Sequence, residues 1–140
     1  MQHANWTPIL PDDLSTPKSR RITGPSVIWN LPAVQEALRV GTLGLTPTVK
    51  AAREMLMELN WSNDDLKGYL LALYPARQVN QQWCKTPNGQ KFFASDAYCM
   101  GYDRHRATEN SFLSPWAYVK FTVLATNVVV FSAHPKRFNS

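Results

Sequence analysis

The chain has almost no cysteine: Cys84 and Cys99 are its two thiols in 140 residues. No CxxC pair exists, so the thiols alone cannot form a four-ligand zinc site. Adding His105 and His134 completes a set that lacks the close spacing of such sites. In the cytosolic setting that the following absences suggest, no structural disulfide is expected. No apolar run approaches the length that spans a bilayer. The start, Met1-Gln-His-Ala-Asn-Trp, has no cationic stretch followed by an apolar one, as a secretory leader would. No repeat or low-complexity tract interrupts the sequence. These absences set the expectation of a cytoplasmic protein with no metal and no cofactor.

What is present is a core and a charge. Hydrophobic residues make up 44% of the chain, with five Trp, five Tyr and six Phe, which argues against disorder. The length suits one domain. Lys and Arg number 15 against 10 Asp and Glu, giving a formal net charge of +5 and a pI near 9.4. A small basic protein is biased toward anionic partners, nucleic acid first.

Residues 1–28 carry Pro8, Pro11, Pro17 and Pro25 and have no helical periodicity, so they read as an extended arm. Trp6, Ile9, Leu10, Val27 and Ile28 give that arm apolar residues with which to dock. Its basic cluster, Lys18-Ser-Arg20-Arg21, reads as a solvated tail. From 29 to 140 the chain reads as a single domain. Asn30, Pro32 and Gly41 bracket a first helix with an N-cap, a first-turn proline and a C-terminal glycine. A second helix is expected from Thr46-Pro47 to about Leu59, with Val49, Ala52, Leu56 and Leu59 turned inward and Met55 beside them. A third opens at Ser62-Asn-Asp-Asp65, buries Leu66, Tyr69, Leu70 and Leu73, and stops before Pro75.

Beyond residue 79 the pattern turns to strands. Gln82–Thr86 and Gln90–Ala94 flank a turn at Pro87-Asn88-Gly89, and Asp96–Tyr102 forms another strand. Trp116–Leu124 and Asn127–His134, separated by Ala125 and Thr126, read as a terminal hairpin. Helices first and strands second imply an α+β fold, with N-terminal helices packed on a twisted antiparallel sheet. Within the hairpin, Tyr118 and Lys120 are two residues apart and share one sheet face. The neighbouring strand ends on His134. A tyrosine, a lysine and a histidine so placed can carry out acid–base chemistry on a phosphodiester.

Three segments together resemble the MqsR-type toxins, ribonucleases of bacterial toxin–antitoxin pairs with a RelE-like fold. They are Leu59-Asn-Trp-Ser-Asn-Asp-Asp-Leu-Lys-Gly-Tyr-Leu-Leu-Ala-Leu73, the hairpin Tyr118-Val-Lys-Phe-Thr-Val…Val128-Val-Val-Phe-Ser132, and Asp96…Tyr102-Asp-Arg-His-Arg106. Val34…Leu38-Arg-Val-Gly41 resembles the family's first helix. The likeness runs over about residues 30–136 and leaves the arm without a counterpart. It implies a metal-independent endoribonuclease acting on RNA and held by a cognate antitoxin. The family's catalytic tyrosine corresponds to Tyr118. Its terminal lysine falls on His134, with Lys136 nearby. Its early lysine is best matched by Lys85, and its glutamine falls on Cys99 or Tyr98. Lys120, Arg104, Arg106 and Lys136 are the expected phosphate contacts. The rival reading is a basic module that keeps the fold and binds RNA, DNA or protein without cleaving it.

Overall fold

The computed structural model describes residues 3–85, 89 and 91–137. Its elements run α1 (Leu31–Val40), β1 (Gly44–Pro47), α2 (Val49–Glu54), a π-helical turn (Met55–Leu59), α3 (Asn63–Ala72) and β2 (Gln78–Lys85). They continue with β3 (Phe92–Met100), β4 (Tyr102–Asp103), β5 (Thr108–Glu109), β6 (Ala117–Leu124) and β7 (Asn127–Pro135). The five-stranded sheet has the order β1-β7-β6-β3-β2, and β4 pairs with β5 separately. The fold is α+β, and the sheet is mixed: β1 runs parallel to β7 while the other pairs are antiparallel. This corrects the all-antiparallel expectation. Residues 44–47, assigned in part to the second helix, are the missing strand.

The caps of α1 and α3 are those the sequence signals, whereas α2 is capped by Thr48 rather than opening at Thr46-Pro47. The Asn30 side chain accepts from Ala33 N–H, and Gly41 takes the left-handed conformation that ends α1 (φ 87°). Ser62 and Asp65 form a reciprocal capping box at α3. One hydrophobic cluster joins Leu31, Val34 and Leu38 of α1, Ala51 of α2 and Leu66, Tyr69 and Leu70 of α3 with Tyr98, Val119, Phe121, Val128 and Val130 of the sheet. The Tyr69 hydroxyl donates to Ala117 O at 2.8 Å, so its burial leaves no orphan donor.

The second helix differs from its expected orientation. Ala51 and Met55 are buried, whereas Val49 and Leu56 are 71% and 68% exposed. Glu54 takes an inward position instead. Its Oε1 accepts the Ala133 N–H of β7 at 3.1 Å, beyond the Asn127–Val130 stretch of β7 that pairs with β1. A buried amide without an acceptor costs about 1–3 kcal/mol, comparable with the roughly 1.5–3 kcal/mol gained by burying one Val or Leu side chain, so the contact offsets leaving such a side chain outside. The inward face of the helix is accordingly Ala51, Glu54 and Met55, and the aliphatic stripe lies outward.

The strands also differ in extent. β3 is one continuous strand from Phe92 to Met100 where two were expected. Pro87 and Asn88 of the expected turn lie outside the described residues. The terminal hairpin forms as expected, with Ala125 at φ 54° in its two-residue turn. Within it, Lys120 pairs with Ser132 but Phe121 pairs with Val130, leaving Phe131 as an extra residue. This bulge changes the phase of β7. Val128 and Val130 join the core, whereas Ser132 and His134 point to the other side, with Tyr118 and Lys120.

The arm is tied down at intervals. Asp96 accepts from Ile28 N–H at 3.0 Å and Trp29 N–H at 2.8 Å. Arg21 bridges to Gln82, and Ile22 N–H donates to Gln81 O at 3.0 Å, so the arm lines the outer edge of β2. Ile28 is buried, while Ile9 is 92% exposed.

Candidate functional site

Period two along β6 sends Val119 and Phe121 into the core and Tyr118 and Lys120 to the opposite side. Tyr118 pairs with Cys99 on β3 and His134 on β7. The Tyr118 and His134 rings stack with centroids 5.1 Å apart and an interplanar angle of 19°. Both are nearly covered, Tyr118 at 6% and His134 at 4% exposure. Burial pushes the Tyr118 phenol above its ordinary value, opposed by the Asn80 side chain. Burial pushes the His134 imidazole below its ordinary value, opposed by its contact with the Pro135 carbonyl, 2.7 Å from Nδ1. The phenol is thus kept protonated and the imidazole kept neutral.

Beside this pair lies a cleft of about 430 Å³. Arg20, Lys50, Lys85 and Lys120 all line it, together with Thr48, Gln82, Cys84 and Ser132, and no carboxylate does among the described residues. Two of the ammonium groups are held by neutral acceptors. Lys120 Nζ donates to Gln82 Oε1 at 3.0 Å, and Lys50 Nζ donates to Ser132 Oγ at 3.0 Å. Glu54, behind the wall, is 3.2 Å from Lys50 and shares its charge. Arg20 is fixed by donation from Nε to Leu14 O at 2.8 Å, and its guanidinium lies over the Phe92 ring. Several cations facing one concave, carboxylate-free space concentrate positive potential there and attract anions.

A second hollow, about 190 Å³, is lined in part by Tyr118. Its lining includes Arg77, Cys99, Trp116, Tyr118 and Lys136. The Arg77 and Lys136 charges sit 4.9 Å and 5.9 Å from the Trp116 ring centroid.

The expected site residues therefore divide. Tyr118, His134 and Lys120 share one side of the sheet, and Lys136 lies at the Tyr118 hollow. Lys85 lines the cleft but pairs with Phe92, seven positions along β3 from the Cys99 that pairs with Tyr118. At roughly 3.3 Å per residue that is about 23 Å, too far for Lys85 to act at the same atom as Tyr118. Tyr98 is not brought to the others. It is fully buried in the core, stacked on Phe121, with its hydroxyl unpartnered and its phenol pushed far up by burial. Cys99, the other position for the family's glutamine, does lie beside Tyr118. Arg104 and Arg106 sit elsewhere again: Arg104 is 3.4 Å from Asp65, and Arg106 is 3.9 Å from Asp103.

Sequence reasoning missed Arg20, Lys50 and Arg77. Arg20 belongs to the basic cluster read as a solvated tail. Lys50 follows a helix cap, and Arg77 follows a helix-ending proline; neither context signals a ligand. Comparisons with family models, curated proteins and solved structures give no significant match to this chain.

Proposed function

We propose that the chain is an endoribonuclease toxin of the RelE-like kind that grips single-stranded RNA in the cationic cleft and cleaves it at the Tyr118–His134 pair. The observation that carries this reading is shared placement. Lys120 lines the cleft and stands two residues from Tyr118, so phosphate grip and proton-transfer groups occupy one side of one strand. In the reaction, the RNA 2′-oxygen attacks phosphorus and the P–O5′ bond breaks. Neutral His134 takes the 2′ proton, and the protonated Tyr118 hydroxyl supplies one to the departing 5′-oxygen. Lys120 balances the charge that builds on the phosphate oxygens. None of these roles calls on a metal ion. A cognate antitoxin is the partner that the family resemblance implies.

The near-complete burial of His134 and Tyr118 favours the second reading, a protein that binds RNA without cleaving it. Incubation of the purified chain with single-stranded RNA in EDTA separates the two. The first reading expects products ending in a 2′,3′-cyclic phosphate and a 5′-hydroxyl. Strict dependence on added Mg²⁺ or Mn²⁺ would contradict it, and intact RNA that is nonetheless bound establishes the second.

A further inference from the structure

We infer that the Arg77–Trp116–Lys136 hollow is a nucleobase subsite that prefers bases with a keto oxygen at position 4 or 6 over bases with an amino group there. This inference rests on the RNA-binding reading. Its argument begins with Arg77, which is held on three sides. Glu109 Oε2 accepts from Nε at 2.7 Å and lies 2.6 Å from Nη2. The guanidinium lies 5.2 Å from the Tyr74 ring centroid and 4.9 Å from that of Trp116. Tyr74 in turn donates its hydroxyl to Glu109 at 2.7 Å. A group fixed this firmly loses little freedom on meeting a ligand.

Glu109 also balances the Arg77 charge, so the hollow is a weaker phosphate site than the carboxylate-free cleft. Its walls include Ala76, Val79 and the Trp116 ring. Apolar walls, a rigid planar donor and a volume of about 190 Å³ suit a flat, neutral, heteroaromatic ring. The polar groups decide which ring. Arg77 and Lys136 are donors with no acceptor. The Cys99 thiol and Tyr118 phenol are both pushed upward by burial, so each can donate and neither offers the charged acceptor that an amino group would favour. A donor-rich lining accepts a carbonyl oxygen and opposes an exocyclic amino group. Uracil and guanine present the first, cytosine and adenine the second. The hollow shares Tyr118 with the reaction centre, so the base it holds belongs to a nucleotide next to the reacting phosphate.

Uracil and cytosine differ at position 4 in the required way, so the test uses U and C homopolymer oligonucleotides of equal length. Affinity for each is measured by fluorescence anisotropy with the full chain in EDTA. The expected U-over-C preference is about tenfold or more. Arg77→Gln and Lys136→Gln introduce an acceptor and should each bring the ratio toward one. A ratio of two affinities is insensitive to a partial loss of folded protein, and Lys136→Gln leaves the Arg77–Glu109 pair in place. Equal binding of both polymers by the unmodified chain, or an unchanged ratio in both variants, would overturn the inference while RNA binding stands. Failure to bind either polymer would overturn the RNA reading and this subsite with it.

Discussion

Two basic regions of this molecule carry similar charge and different chemistry. In the connection after β4, Arg104 and Arg106 each have an acid beside them, Asp65 and Asp103. In the cleft, Lys120 is hydrogen-bonded to an amide oxygen and Arg20 to a backbone carbonyl, Lys50 shares its charge with Glu54 behind the wall, and no carboxylate among the described residues lines the space. A paired cation must give up its partner to take a phosphate; a cation held by a neutral acceptor need not. The net charge of +5 therefore says that an anion site is affordable, and the pairing pattern says where it lies. A sequence-level reading that weighs Arg104 and Arg106 equally with Lys120 cannot make that distinction.

The largest expected effect breaks the functional side of the comparison at its centre. His134→Ala should lower the cleavage rate by roughly 10²–10⁴, as for loss of a general base. His134→Phe keeps a ring against Tyr118 and should lose as much activity with less loss of stability. Tyr118→Phe, which removes only the hydroxyl, should cost less than His134→Ala. Full activity in both the His134 and Tyr118 variants, with normal melting, would place the reaction elsewhere.

Next in size is the contact between Glu54 and β7. Glu54→Ala leaves the Ala133 N–H without its acceptor and should lower stability by about 1–3 kcal/mol in urea denaturation. Glu54→Gln keeps an acceptor and removes a negative charge behind the cleft, so it should lose less stability and raise RNA affinity. If Glu54→Gln weakens RNA binding while remaining folded, the charge account of the cleft is wrong.

A smaller effect comes from pH. The folded-state pKa of His134 lies below its unfolded value, so below about pH 6.5 the unfolded chain binds the extra proton first. The resulting stability is fully present above that pH and is lost as pH falls toward the folded-state pKa. Between pH 7 and pH 5 the urea midpoint should therefore drop further for the unmodified chain than for His134→Phe. Parallel midpoint curves for the two proteins would show that His134 is not held neutral by burial.

How much of this was legible in the sequence depends on the range of the physics involved. Caps at Asn30 and Ser62 and the two-residue hairpin turn are local, and local signals placed α1, α3 and the β6–β7 pair correctly. Tyr118 and Lys120 followed from period two alone. The β1 strand escaped because Gly44–Pro47 is ordered by pairing with Asn127–Val130 from the far end of the chain. The outward turn of Val49 and Leu56 escaped because a charged residue, Glu54, takes the inward face against the distant Ala133 amide. The Phe131 bulge decides that Ser132 and His134 face away from the core, and nothing in the run Val128-Val-Val-Phe-Ser132 marks it. Tyr98 looked equivalent to Cys99 as a site residue; the register of β3 against β6 puts Cys99 beside Tyr118 and Tyr98 in the core.

The salt dependence of RNA binding tests the contrast between the two basic regions most directly. Each phosphate contact removed from a single strand should reduce the slope of log affinity against log salt by about 0.7. Replacing Lys85 and Lys120 with Gln should therefore flatten the slope by about 1.4, whereas replacing Arg104 and Arg106 with Gln should leave it nearly unchanged. An unchanged slope in the cleft variant, or an equal flattening in the Arg104/Arg106 variant, would contradict the account.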